Sequence, residues 1–175
     1  MKIMSDSICI YINAHISNAL FELVKFCATF QRNLLVLKPC VFVRGGITYG
    51  DMYAKDDIMF GPALTEAYML EEMNAKVPRI IMCKSTLDYG KDGMDEEIQK
   101  RMNILLFRDD DAFYTLNYFR LFHDFPPRKE TIERVDVTIS KWLDTTTNES
   151  IRQKYLYVDK HLRKYLEELK EKTDA

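Results

Sequence analysis

The stretch from residue 40 to residue 83 constrains the fold more than any other part of the chain, because strand and helix signals alternate along it. It begins with the apolar run CVFVRGGI (residues 40–47), which predicts a buried strand within residues 40–53 whose glycines let the backbone turn closely. Pro62 suits the first turn of a helix that we expect to run to about Lys76. Pro78 ends that helix, and the run RIIMC predicts a second buried strand.

Further strands and helices flank this unit. Residues 2–13 predict a hairpin with the polar tripeptide SDS between its strands, and residues 13–35 carry apolar side chains at helical spacing. After the central unit we expect a polar connection, a hairpin with an acidic tip and two closing helices (residues 85–95, 104–119, 129–144 and 149–172). The predicted class is α/β, an α+β sandwich, in one domain with a core over residues 1–125 and C-terminal helices over residues 126–175 packed on it.

Composition and charge exclude several classes of function. The chain has 25 Lys and Arg against 27 Asp and Glu, and its basic residues are scattered, so neither nucleic acid nor an acidic membrane surface is an expected partner. No apolar run reaches the roughly 18 residues of a membrane span, and MKIMSDS lacks the pattern of a signal peptide. The cysteines lie in apolar stretches without CxxC spacing, which predicts reduced core residues in a cytoplasmic protein (Cys9, Cys27, Cys40 and Cys83).

Several phrases, in a fixed order, resemble one protein family. They are MSDSI (4–8), RGGI (44–47), FGPALTEAYMLE (60–71), PRI (78–80), FRDDDAFYTLNYF (107–119) and KYLYVDKHL (154–162). Together they resemble the class III nucleotidyl cyclases, with wording most similar to the pyrimidine cyclases of the Pycsar antiphage system, which make cyclic CMP or cyclic UMP. The resemblance implies a ferredoxin-like cyclase core and a lyase that converts CTP or UTP to the 3′,5′-cyclic nucleotide and pyrophosphate, a second messenger in antiphage defence.

The resemblance also implies a metal site. Cyclases of this family use two Mg²⁺ or Mn²⁺ ions, one at the attacking 3′-oxygen and one at the departing phosphates, and hard cations of this kind prefer carboxylate ligands. Asp6 corresponds to one of the family's two metal-binding aspartates and is therefore the expected catalytic and metal-binding residue. From the local sequence alone, Asp6 equally suits a hairpin turn.

Two further residues match base-reading positions of the fold. Lys2 lies four residues before Asp6, where a lysine can donate to a pyrimidine carbonyl, and the alternative is a solvated terminal lysine. Asp57 lies near the other base-reading position, and the alternative is a solvated loop.

The glycine strand and the following helix carry the remaining candidates. Arg44 is a charge on an apolar strand, so it contacts substrate phosphate or forms a salt bridge with a carboxylate. Thr65 and Met69 occupy positions where purine cyclases have an asparagine and an arginine, so this chain departs from that pattern. Tyr68 is a candidate for base stacking or for an aromatic contact in a homodimer interface, since the family builds its sites between two protomers.

One family phrase is missing. The second metal aspartate of these enzymes lies in a Phe-x-Asp-x-x-Gly-Phe phrase on a first strand, and this sequence contains no such phrase. The resemblance therefore predicts a core that lacks its first strand and helix and is truncated at the amino end. A single carboxylate would bind two dications weakly, so the alternative function is an inactive cyclase-like module that binds nucleotide or mediates dimerisation. The sequence does not choose between CTP and UTP.

Overall fold

The computed structural model describes residues 2–4, 7–56 and 58–173. Its strands are β1 (Lys2–Met4), β2 (Ser7–Cys9), β3 (Gly45–Ile47), β4 (Tyr53–Lys55), β5 (Ile58–Phe60), β6 (Ile80–Met82), β7 (Leu106–Arg108) and β8 (Tyr114–Leu116). Its helices are α1 (Ala19–Leu35), α2 (Pro62–Asn74), α3 (Lys84–Lys91), α4 (Glu96–Ile104), α5 (Arg120–Asp124), α6 (Lys129–Thr145) and α7 (Glu149–Thr173).

Four of these strands form a mixed sheet in the spatial order β3-β6-β8-β7. The strands β3 and β6 are parallel, with Gly45 opposite Ile80 and Ile47 opposite Met82, as their connection through α2 requires. The pairs β6–β8 and β7–β8 are antiparallel. The expected mixture of strands and helices is confirmed, and the mixed sheet is consistent with an α+β arrangement.

Helices cover both faces of the sheet. The main apolar cluster joins α1 and the C-terminal helices to one face, and its fully buried members include Val24, Met82, Phe122, Val135 and Leu162. A smaller cluster lies beneath α2 on the other face and consists of Leu70, Ala75 and Ile81. All three residues of β6 are buried, which explains why its sequence is an uninterrupted apolar run.

The close approach of α2 to β3 depends on Gly46. A Cβ atom at this position would lie 2.6 Å from the carbonyl oxygen of Ala67 and 3.0 Å from the Cβ of Leu70. The second glycine of RGGI therefore allows the helix to pack directly on the strand.

Several predicted elements are confirmed. The helix after Pro62, the strand at residues 80–82 and the hairpin formed by β7 and β8 all lie where the sequence predicts them. The two closing helices match their predicted ranges to within one residue at each end. The predicted amino-terminal hairpin is also present, with Met4 opposite Ser7 in an antiparallel pair that ends at Cys9.

Three predicted boundaries are wrong, each because a local or tertiary contact replaces the expected structure. The helix expected from residue 13 begins at Ala19, since the Asn13 side chain accepts a hydrogen bond from the His15 N–H and Asn18 has a left-handed backbone (φ 61°). The strand expected from residue 40 begins at Gly45, because α1 binds the preceding backbone: Leu34 accepts from the Val41 N–H, and Gln31 donates to the Val43 carbonyl.

The third wrong boundary is the polar connection expected over residues 85–95. Most of it is α3, which buries Thr86 and Leu87 against the core. A Cβ at Gly90 would lie 2.2 Å from Cδ2 of Leu20, so this glycine lets α3 pack against α1.

Within the described residues, no helix has both the length and the apolar character that a membrane crossing demands.

Candidate functional site

A cleft of about 1390 Å³ runs along the edge of the sheet at β3. Every residue from 42 to 52 lines it, whereas β6 contributes Ile80 alone. Helix α1 forms one wall, α2 forms the opposite wall, and residues 7–20 close one side. The cleft therefore brings the described strand after the SDS tripeptide, the glycine strand and the α2 helix around one space.

Three of the predicted site residues lack a described side chain. Asp6 and Asp57 lie outside the described residues, and of Lys2 only the backbone in β1 is described. The neighbour Ser7 lines the cleft, as do Arg44 and Gly46.

Arg44 forms ion pairs with two carboxylates of α2. Its Nε lies 2.5 Å from Oε1 of Glu71, and its Nη2 lies 3.0 Å from Oε2 of Glu72. Its Nη1 makes a long contact of 3.5 Å to the Ala75 carbonyl. Of the two alternatives for Arg44, the salt bridge is the one observed, and a phosphate would have to compete with these carboxylates for the guanidinium.

The two candidates on α2 occupy different surroundings. Tyr68 lines the cleft with 60% of its surface exposed, so its ring is available to a ligand or partner. Thr65 is exposed and does not line the cleft, and its Oγ1 donates to the Gly61 carbonyl one turn earlier at 3.4 Å. The cleft thus brings together Arg44 and Tyr68 but not Thr65.

The sequence did not reveal an aromatic pair in the cleft. The rings of Tyr49 and Tyr89 stack with centroids 3.4 Å apart and planes inclined by 21°. A side-chain hydrogen bond with Tyr89 raises the pKa of Tyr49. Only a correct prediction of α3 would have placed Tyr89 beside Tyr49, because the two are 40 positions apart and belong to different elements.

The charged residues of the cleft are mainly acidic. Four carboxylates line it against one arginine: Asp51, Glu71, Glu72 and Asp92 face a space that also includes Arg44. Within residues 2–4, 7–56 and 58–173, no three His, Cys, Asp or Glu side chains are grouped so that they could hold a metal ion. The described residues therefore do not by themselves form a two-metal centre.

The acidic tip of the β7–β8 hairpin lies outside this cleft, and its carboxylates form ion pairs with an arginine side chain. Arg79, whose side chain is only 9% exposed, binds Asp109 at 2.7 Å and also binds Asp111. Burial would raise the pKa of Asp111, but its hydrogen bond and charge interaction with Arg79 outweigh burial and lower it. Their ion pairs with Arg79 connect the start of β6 to the hairpin, so we assign these acids a structural role.

Comparison of the chain with protein-family models, with curated proteins and with solved structures finds no match.

Proposed function

We propose that this protein is a nucleotide cyclase of the pyrimidine type, which converts CTP or UTP to the 3′,5′-cyclic nucleotide and pyrophosphate in antiphage defence. One observation carries the proposal: β2 of the hairpin, the RGGI strand and the FGPALTEAY helix, which are three of the family-like phrases, line a single cleft. The hairpin phrase begins 40 residues before RGGI and 56 residues before FGPALTEAY, so a shared cleft is what gives the three phrases a possible common function.

The acidic lining limits how a nucleotide can enter. A triphosphate is strongly anionic, and four carboxylates against one arginine repel it. The nucleotide is therefore bound with Mg²⁺ or Mn²⁺, which would supply the charge neutralisation that phosphoryl chemistry needs. Asp6 is the carboxylate that the proposal assigns to the cation, and the described residues do not complete its ligand set.

The other residues bind and orient the substrate. Tyr68, exposed on the α2 wall, offers a ring face for stacking on the pyrimidine. Arg44, which lines the cleft, is held by Glu71 and can turn to a phosphate oxygen if Glu72 releases it. Lys2 and Asp57 are assigned to the base edge by the resemblance alone, whereas Thr65 lies away from the cleft and has no role that its position supports.

The proposal includes a homodimer. Exposed apolar side chains occur together on α2 and on the neighbouring β4–β5 hairpin: Tyr53, Ile58, Phe60, Tyr68, Met69 and Met73. Helix α2 contacts β5, so these side chains belong to one region of the surface. A second copy would cover this region and place its own α2 near the cleft.

A second candidate function is a binding module without turnover. It is favoured by the ion pairs that hold Arg44 to Glu71 and Glu72. Such a module would bind a pyrimidine triphosphate without releasing pyrophosphate from it, or would serve only in dimerisation.

Calorimetric titration tests the common part of both candidates. CTP, UTP, ATP and GTP are each titrated into the protein with Mn²⁺ present, and then into the Asp6→Ala variant. We expect CTP or UTP to bind at least tenfold more tightly than either purine, and Asp6→Ala to weaken that binding at least tenfold. Equal binding of all four nucleotides, or binding that Asp6→Ala leaves unchanged, would overturn the assignment of the cleft.

A further inference from the structure

The outer edge of β3 has backbone groups directed into the cleft. The Gly45 N–H donates to the Arg79 carbonyl at 3.1 Å, so Gly45 directs its groups towards β6. Because these groups alternate in direction along a strand, the N–H and C=O of Gly46 face away from β6. Within the described ranges β3 is the last strand on this side of the sheet, and the backbone of Gly46 faces open space.

Both covering helices extend beyond that edge. On one face, α1 presents Leu20, Leu23, Cys27 and Phe30 to the cleft, and on the other, α2 presents Ala63, Leu64 and Ala67. The sheet therefore ends while the apolar layers above and below it continue. A new strand placed beside β3 would be buried on both faces, as β6 is.

The size and charge of the cleft indicate what fits there. Pockets for small molecules commonly occupy about 300–1,000 Å³, whereas this cleft occupies about 1390 Å³. Its apolar walls suit apolar side chains, and the small alanines of α2 leave more room on that face. Its four carboxylates against Arg44 favour positive charge at the ends of the occupant.

We infer that the cleft is a docking site for one extended segment of a partner polypeptide, which adds to β3 as a new edge strand. The segment is four or five mainly apolar, β-branched residues flanked by lysines. Its backbone pairs with the outward N–H and C=O of Gly46, its larger side chains pack on Leu23 and Phe30, and its lysines meet Asp51 and Glu72. Strand addition of this kind takes affinity from main-chain hydrogen bonds and specificity from the side-chain pockets.

The test uses a fluorescent peptide, Lys-Lys-Val-Ile-Val-Thr-Val-Lys-Lys, with blocked ends. Two further peptides of the same sequence carry N-methyl groups on alternate amides, one on the first, third and fifth residues of the apolar run and one on the second and fourth. Since only one set of amides can face β3, we expect one methylated peptide to lose at least tenfold in affinity by fluorescence anisotropy while the other stays within threefold of the parent. A loss of affinity in neither methylated peptide, or in both, would overturn the inference. Absence of binding by the parent peptide at about 1 mM, the weak end of the affinity scale, would overturn it as well.

Two protein measurements locate the peptide. Leu23→Lys is expected to weaken binding at least tenfold, whereas Val137→Lys, at an apolar position that is 67% exposed and outside the cleft, leaves it unchanged. In the unmodified protein, the parent peptide should slow hydrogen exchange of the Gly46 amide at least tenfold. Protection of Gly46 that grows with protein concentration and without peptide would show that a second copy covers the edge, and would contradict the partner assignment.

This inference does not depend on nucleotide chemistry. Failure of every triphosphate to bind would leave the peptide result intact, and failure of the peptide would leave the nucleotide proposal intact.

Discussion

Arg44 Nε lies 2.5 Å from Glu71 Oε1, and this ion pair joins the start of the glycine strand to helix α2, which packs on that strand. Glu72 holds the same guanidinium at 3.0 Å. Arg44 is about one-third exposed, so the pairs are partly screened and exchange with another anion costs little. An anion that approached Arg44 would thus have to compete with two neighbouring carboxylates.

The first prediction concerns these carboxylates. Replacing both, in the double variant Glu71→Gln and Glu72→Gln, removes two negative charges and frees Arg44. Affinity for inorganic tripolyphosphate should rise about tenfold, the equivalent of one charge-assisted hydrogen bond, as measured by calorimetry. The control is Glu96→Gln, whose carboxylate pairs with Lys100 on exposed α4 and which should change nothing. An unchanged affinity in the double variant would show that Arg44 does not reach the anion.

A second prediction tests the packing of α2 on β3. Gly46→Ala places a methyl group 2.6 Å from the Ala67 carbonyl, so the helix must shift. We expect the free energy of unfolding to fall by about 1–3 kcal/mol, measured by urea denaturation. The matched control is Gly50→Ala, whose Cβ would lie 3.5 Å from the Cβ of Ala63 in ordinary contact and whose effect should stay within about 1 kcal/mol. Equal effects of the two substitutions would contradict the account of this close approach.

The third prediction concerns Arg79 and the acidic hairpin. Arg79→Ala leaves Asp109 and Asp111 without their buried cation and should lower the free energy of unfolding by about 3 kcal/mol, the low end for a broken buried pair because the carboxylates are partly exposed. Arg163→Ala breaks pairs with Asp136 and Asp159 at a more exposed site and should lower it by less than about 1 kcal/mol. Chemical denaturation measures both losses in the free energy of unfolding. A larger loss in Arg163→Ala than in Arg79→Ala would refute the prediction.

The same network predicts a dependence on pH. Arg79 lowers the pKa of Asp111 below its ordinary value, so the pair stabilises the fold fully above that ordinary value, about pH 4, and less as the pH falls through the folded value. Unfolding midpoints at pH 7 and pH 3 should therefore differ less in Asp111→Asn than in the parent protein. Asp110→Asn, at a neighbouring exposed acid, should retain the parental difference. Identical pH dependence in the parent and Asp111→Asn would contradict this account.

A further prediction concerns the stacked tyrosines. The hydrogen bond with Tyr89 raises the pKa of Tyr49, so Tyr89→Phe should lower it. The measurement is the pH titration of ring ¹³C shifts in tyrosine-labelled protein. Tyr53→Phe, at a tyrosine that stacks on Phe60 instead, should leave the Tyr49 titration unchanged.

The sequence predicted elements whose signals are local and strong, such as the helix after Pro62 and the buried strand at residues 80–82. It failed where tertiary contacts decide the backbone. The hydrogen bond from Gln31 to the Val43 carbonyl keeps the chain before β3 out of the sheet, and contact between Gly90 and Leu20 supports a helix in a stretch that looks like a loop.

The candidate site was likewise predicted only in part from the sequence. The charge of Arg44 on an apolar strand and the place of Tyr68 in a family-like phrase made both residues candidates, and both line one cleft. The sequence could not reveal that Glu71 and Glu72 hold Arg44, because the partner of a charged residue is set by packing rather than by spacing. The pairing of Tyr49 with Tyr89 was missed for the same reason.

The most direct test of the proposed function is product formation. The protein and its Asp6→Ala variant are incubated with Mn²⁺ and each of the four triphosphates, and cyclic nucleotides are quantified by mass spectrometry. We expect slow, Mn²⁺-dependent formation of cyclic CMP or cyclic UMP, without the purine products, and a loss of at least about a hundredfold in Asp6→Ala, as expected when charge stabilisation or positioning is removed. Formation of cyclic AMP or cyclic GMP alone, or an Asp6→Ala variant as fast as the parent, would contradict it.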